Sequence, residues 1–316
     1  MQEVRNNNQC LSKKQAKTFV LNDNCAIFLD HLEVVLNDRT KFKKILIESS
    51  TFEFDKNKIY FIIGDSGVGK TTLVSHFNGL LKSRYGNIFV DNLKIIGKKS
   101  KIKHFKKLCR TIGMVFQFPE YQLFKDNVIK DVMFGPRNLG IKKSKANKLA
   151  KKYLNQMGIG EQYYSRSPFE LSGGQKRRVA IAGILAIEPS IIVFDEPTAG
   201  LDPDGVNEML KYIKELKMNN KTVFVITHDM NHVLQMADKV ILLKDKKIQA
   251  IADPYEVFMN NDLLNGTKII KPNVIQFIDS LVSLNSKFKK LYEIKPTSIE
   301  ELADCINMII RGELNE

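Results

Sequence analysis

The chain of 316 residues contains no apolar run approaching the ~18 residues that a bilayer-crossing helix needs. Its longest apolar stretches, such as "IYFII" at 59–63 and "IIVF" at 191–194, have the length of strands. The opening "MQEVRNNNQCLSKKQAK" lacks the apolar segment of a secretory signal and is expected to be a polar arm. Cysteine is equally sparse. Cys10, Cys25, Cys109 and Cys305 stand too far apart for a zinc pair or a redox pair, so reduced thiols in a cytoplasmic protein are expected. There is no internal repeat, and no low-complexity segment beyond the lysine runs. Nor do aromatic residues interleave those runs, as a stacking platform for single-stranded nucleic acid requires.

What is present is ordinary for a folded chain: 43% hydrophobic and 27% charged residues. The length suits one sizeable core and a smaller second domain. The formal charge is +14, with lysine runs at "KFKK" (41–44), "KKSKIKHFKK" (98–107) and "KKSKANKLAKK" (142–152). Such runs fit solvated faces, an anionic membrane surface or nucleic acid, and composition alone does not choose among them.

Short β-branched runs alternate with helical patterns: "KIYFII" (58–63), "SIIVFD" (190–195), "KTVFVIT" (221–227) and "KVILLK" (239–244). Runs unbroken by polar positions suit strands buried on both faces, hence a parallel sheet covered by helices and an α/β fold. Between them, Val206, Met209, Leu210, Ile213 and Leu216 keep helical spacing behind Pro203, which predicts a helix over 203–218. From about residue 250 short helical patterns take over. "PTSIEELADCINMIIRG" (296–312) predicts a last helix opened by a capping box from Thr297 to Glu300 and closed by Gly312.

Chemistry concentrates in a few places. Gly64, Asp65, Ser66, Gly67, Val68, Gly69, Lys70 and Thr71, followed by Thr72, fit G-x-x-x-x-G-K-[ST] directly after the strand 58–63. Such a loop turns backbone N–H groups and a helix N-terminus toward phosphate oxygens, with Lys70 reaching the β- and γ-phosphates and Thr71 a magnesium ion. At the end of the strand 191–195, Asp195 is placed to hold Mg²⁺, and Glu196 to polarise the water that attacks the γ-phosphate. His228 fits a γ-phosphate ligand or a structural histidine; Gln117 fits an amide ligand of Mg²⁺ and water or a surface glutamine. A second device, Leu171, Ser172, Gly173, Gly174 and Gln175, precedes a helix expected to start near Gln175. It fits an anion grip or a serine cap. A loop already wrapped around one triphosphate leaves this second grip nothing to hold within its own subunit, which points to a dimer.

Taken in order, "GDSGVGKTT", Gln117, "LSGGQ", "IIVFDE", "AGLDP" (199–203) and His228 resemble the nucleotide-binding ATPase of an ABC transporter, over roughly residues 25–250. The resemblance implies a P-loop NTPase core with a mainly parallel sheet flanked by helices. A polar arm at 1–24, a helical signature subdomain at about 118–188 and a small helical C-terminal domain at 251–316 complete the expected organisation. It implies two ATPase domains paired head to tail, each ATP lying between the phosphate loop of one and the signature of the other. By the same resemblance Thr71, Gln117 and Asp195 serve Mg²⁺, Glu196, His228 and Gln117 serve catalysis, and Asp202 lies at the dimer seam. "FQFPEYQLFKDNVIKDVMFGPRNLG" (116–140) and the C-terminal extension are similar to the ATPases of energy-coupling factor importers, which take up vitamins or metal ions. Of the two paralogues that usually pair there, the wording is closer to the second.

That family implies a transmembrane T component docking near 117–140, a substrate-capturing S component, and a peripheral position on the cytoplasmic side of the membrane, with no nucleic acid. Glu120, Asp126 and Asp131 fit partners for arginines of the T component, or helix caps. The apolar group Val274, Ile275, Phe277, Ile278, Leu281 and Val282 fits a small core or a contact holding the ATPase pair together. Two departures stand out: Leu36 occupies the point where such ATPases stack adenine, with Phe42 the nearest substitute, and Val68 replaces a small polar loop residue. The alternatives are the ATPase of another importer class or a soluble ABC protein bound to nucleic acid. The latter usually carries tandem ATPase domains, coiled-coil insertions or zinc cysteines, none of which is found in this sequence.

Overall fold

The computed structural model describes residues 21–36, 44–83, 85–91, 93–96 and 104–312. Most of the expected arm at 1–24, Phe42, and most of the lysine run at 98–107 lie outside the described residues. The strands are β1 (Cys25–Leu36), β2 (Lys44–Asp55), β3 (Ile59–Ile63), β4 (Tyr85–Val90), β5 (Leu93–Ile96), β6 (Ile112–Val115), β7 (Ile191–Asp195), β8 (Thr222–Ile226), β9 (Lys239–Lys244) and β10 (Lys247–Ala252). The chain divides into two compact units: residues up to Lys58 with Gly69–Ile226, and Ile59–Val68 with the residues from Thr227 onward.

In the first unit, β2, β1, β4 and β5 form an antiparallel sheet in that order. Beside it in sequence, β6, β7 and β8 run parallel, Val193 standing level with Met114 on one side and Phe224 on the other. Every residue of β7 and of β8 is buried, the outcome expected of unbroken apolar runs covered on both faces. Phe54 of β2, Phe77 of the helix Lys70–Phe77 and Phe224 of β8 meet with ring centroids 5.5–5.9 Å apart. All three are fully buried, each contributing about 1.5–3 kcal/mol of transfer free energy. This cluster seats the helix that begins with Lys70.

The helix Pro203–Met218 forms over the expected span, with proline in its first turn and the Asp202 carboxylate accepting the Gly205 N–H at 2.8 Å as its cap. It buries Met209, Ile213 and Leu216, while Val206 and Leu210 sit at the margin. The lysine run at 142–152 lies mainly on the helix Lys143–Gln156, which buries Ala146, Leu149, Ala150 and Leu154 and leaves its lysines exposed.

In the second unit β3 is entirely buried and pairs parallel with β9, which pairs antiparallel with β10. Short helices follow: Pro254–Met259, Asn261–Leu264, Asn273–Leu284, Leu291–Ile294 and Ile299–Arg311. Val274, Ile275 and Ile278 form their core, whereas Phe277 is 52% exposed. The last helix ends at Gly312 in a left-handed conformation (φ 74°), as expected. Its cap is one residue later than the sequence suggests. The Ser298 hydroxyl accepts the Glu301 N–H at 3.2 Å, and Thr297 instead donates its N–H and hydroxyl to the Glu301 carboxylate at 2.7 and 2.8 Å. Thr297–Glu300 and Ser298–Glu301 share one spacing, and the pair adjoining apolar Ile299 starts the helix.

Candidate functional site

The phosphate-loop stretch leaves β3 through Gly64, whose φ of 147° suits glycine alone; a β-carbon there would run into the Leu243 carbonyl oxygen of β9. Within the second unit, Val68 N–H donates to the Asp65 carbonyl at 3.3 Å. The Asp65 carboxylate accepts the backbone N–H of Lys268 at 2.9 Å, across 203 positions of sequence. In the first unit, Gly69 (φ 111°) opens the helix Lys70–Phe77 with no side-chain cap. First-turn N–H groups left this way are the ordinary donors to an anion. Lys70 is 7% exposed. The Thr71 hydroxyl donates to the Asp195 carboxylate at 2.8 Å, so this expected pair meets, and Asp195 closes β7 at 7% exposure.

Glu196 follows immediately in the left-handed region, φ 50°, a conformation that costs a non-glycine residue about 1–2 kcal/mol. Its N–H donates to the Ile226 carbonyl of β8 at 3.0 Å as the chain leaves the sheet. Gln117 is exposed two residues past β6. His228 is exposed and belongs to the second unit; β8 stops at Ile226 instead of running to the histidine. The reason is local: the Thr227 hydroxyl accepts the Asp229 N–H at 3.1 Å, and the Asp229 carboxylate caps the helix Met230–Met236.

The signature helix spans Gly173–Leu185, two residues earlier than expected. Gln175 is not its start but the far member of a capping box: the Ser172 hydroxyl accepts the Gln175 N–H at 3.3 Å, and the Gln175 side chain accepts the Ser172 N–H at 3.0 Å. Leu171 is buried, whereas Ser172, Gly173 and Gly174 are exposed. Among the described residues, apart from chain neighbours and the helix's own backbone, nothing lies within 4 Å of where a β-carbon on either glycine would stand. Gly173, Gly174, Asp202, Glu120 and Arg177 line one cavity of about 580 Å³ within the first unit.

Of the three acidic candidates, Asp131 accepts the N–H groups of Phe124 and Lys125 at 2.9 and 2.8 Å, and Asp126 pairs with Lys130 at 2.6 Å. Glu120 keeps one buried carboxylate oxygen without a hydrogen-bond partner among the described residues. Arg177 is the functional candidate that motif reading misses. It is 6% exposed, and its guanidinium donates to the carbonyls of Ala199 (2.7 Å), Pro197 (2.6 Å) and Glu196 (3.3 Å). Its sequence signal is faint but real, since an arginine four and eight positions before buried Ile181 and Leu185 must face inward.

Residues 47–199 match the family model "ABC transporter". The "Energy-coupling factor transporter ATP-binding protein EcfA2" of Mycoplasma pneumoniae is 52% identical over 290 residues, covering 92% of this chain and 96% of that protein. The chain belongs to the energy-coupling factor transporter ATP-binding proteins. As a member of that family it is an ATP-hydrolysing subunit of an importer. Among solved structures, CbiO1 of Clostridium perfringens, described as part of the ABC transporter complex CbiONQ, shares 31% identity at a TM-score of 0.66 over 86% of this chain and all of that one. A dimeric ATP-binding cassette in a post-hydrolysis state with ADP and Pi shares 26% identity at a TM-score of 0.64, covering 72% of this chain and 98% of that one. The family's fold, an α/β cassette with mainly parallel strands, is the one described above.

Proposed function

We propose that this chain is one half of a head-to-tail ATPase pair, and that it drives a T component and a substrate-capturing S component from the cytoplasmic face of the membrane. The observation that carries the reading is the bond from the Thr71 hydroxyl to the Asp195 carboxylate, immediately before Glu196. A hydroxyl and a buried carboxylate make a hard oxygen donor set, which fits Mg²⁺. Thr71 and Asp195 would hold that ion with the Gln117 amide, and when bound it neutralises charge on the phosphates. The loop N–H groups of residues 64–72 and the Lys70 ammonium grip the β- and γ-phosphates. Glu196 takes a proton from the attacking water as its oxygen bonds to the γ-phosphorus and the bond to the β-phosphate oxygen breaks, releasing ADP and phosphate. His228 donates to the γ-phosphate.

The signature supports the dimer. The Ser172 hydroxyl already accepts from Gln175, so its own hydrogen is left to donate outward beside the N–H groups of Gly173 and Gly174. The open space over both glycines supports a ligand approaching from outside the chain, the ATP of the partner, with Asp202 at the seam. The exposed aromatics Phe118, Tyr121, Phe124 and Phe134, together with Glu120, support docking of the T component between residues 117 and 140. Among the described residues no helix is long and apolar enough to cross a membrane, which suits a peripheral subunit.

Glu196→Gln is expected to stop turnover and trap an ATP-bound dimer, read as phosphate release and as dimer mass in the reconstituted complex. Undiminished hydrolysis would remove Glu196 from the mechanism. Affinity purification from membranes tests the partners: co-purifying membrane subunits are expected, and recovery of DNA or ribosomes in their place overturns the transport assembly.

A further inference from the structure

We propose that Arg177 is a positioning residue for hydrolysis, which holds Glu196 in its working conformation and ties it to the helix that carries Ser172. The inference rests on the reading of Glu196 as the residue that activates water.

Glu196 occupies a left-handed conformation that an L-residue abandons unless its surroundings enforce it (φ 50°). Three sets of contacts enforce it. The Glu196 N–H is held by Ile226 of β8 at 3.0 Å, and its carbonyl accepts the Ala199 N–H at 3.2 Å. The third is Arg177, whose planar fork reaches the carbonyls of Glu196, Pro197 and Ala199 together. A lysine, with a single ammonium, cannot span three carbonyls in that geometry. Among the described residues no carboxylate stands within ion-pair distance of this guanidinium, and its remaining Nε–H and the buried oxygen of Glu120, both residues lining the same cavity, have no hydrogen-bond partner there. Burial lowers the Arg177 pKa and the charge of Glu120 acts against that shift, so the carbonyl dipoles and one facing carboxylate are what keep the buried cation in place.

Consequence follows from connectivity. Ser172 and Arg177 lie on adjoining turns at the start of one helix. A γ-phosphate seated at Ser172 therefore fixes the helix whose guanidinium fixes Glu196, so the partner's ATP at one site orders the carboxylate that hydrolyses the ATP at the other.

Arg177→Met and Arg177→Lys, made in the full-length chain within its reconstituted transporter, test this. Arg177→Met leaves three backbone carbonyls short of a donor and the Glu120 carboxylate without its facing cation, so it is expected to fold but to melt somewhat below the wild-type temperature. It should bind a fluorescent ATP analogue with unchanged Kd, while kcat falls on the order of 100-fold, the usual consequence of a misplaced catalytic group. Arg177→Lys keeps the charge without the fork and should lose kcat in the same direction with KM unmoved. Turnover near wild type in either folded variant overturns the proposal. So does a joint loss of ATP binding and melting temperature in both, which makes Arg177 structural only. Glu196→Gln is measured beside them: if it still turns over, the reading of Glu196 has failed; if it is dead while the Arg177 variants are active, only this inference has.

Discussion

The two glycine-bearing devices are built on opposite principles. At residues 64–69 each glycine sits in a left-handed conformation, and Gly64 is pressed against the backbone of β9, so the chain's own geometry demands glycine. At 173–174 the backbone is ordinary helix and a β-carbon would meet open space, so nothing among the described residues demands it. One device is finished by folding. The other is an ordinary capped helix start, and the open space over its glycines fits the proposed approach of a partner's ATP. A residue type unexplained by its own subunit is thus as informative about partners as an exposed apolar patch.

Three substitutions sharpen or break this contrast. Ser172→Ala is expected to give the widest split: turnover of the complex falls on the order of 100-fold, as when one transition-state donor is removed, while ATP still binds this chain's own loop. Parallel titrations of nucleotide binding and phosphate release check it, and equal losses in both would merge the two devices. Gly64→Ala comes next, with about 1–3 kcal/mol of backbone strain expressed as a lower melting temperature and weaker ATP binding together. An unchanged melting temperature would show that the loop yields where the contact with Leu243 says it cannot. Smallest in stability is Gly173→Ala, which should raise helix stability by up to about 1 kcal/mol. Turnover should nevertheless drop, and a variant both more stable and fully active would show that the signature needs no room above Gly173.

Much of this site is legible in the sequence because its signals are local. Continuous apolar runs give β7, β8 and β9 to within a residue or two, and Pro203 marks the helix to Met218. The glycine spacing of 64–69 carries its own reason in three positive φ angles. The antiparallel sheet is harder to see, since β1 and β2 mix polar with apolar positions and their pairing depends on partners such as β4, some sixty residues beyond β1. Nothing in a glutamate announces a left-handed backbone, so the strain at Glu196 is a tertiary fact. Arg177 hides in a basic triad whose other members, Lys176 and Arg178, are half-buried. The stop of β8 before His228 is set by Thr227 and Asp229, whose hydrogen bonds compete with the ladder once the chain has room to turn.

The bond from Lys268 to Asp65 bears on modularity. The family model ends at residue 199, and a trimmed cassette stopping after β10 would look self-sufficient on motif content. Yet an acceptor inside the phosphate loop is satisfied by a donor beyond β10, in the stretch that leads into the terminal helices. The C-terminal segment thus contributes a hydrogen bond to the loop, worth about 0.5–1.5 kcal/mol. The shortest version of this chain that keeps the loop in its native hydrogen bonding runs past residue 268.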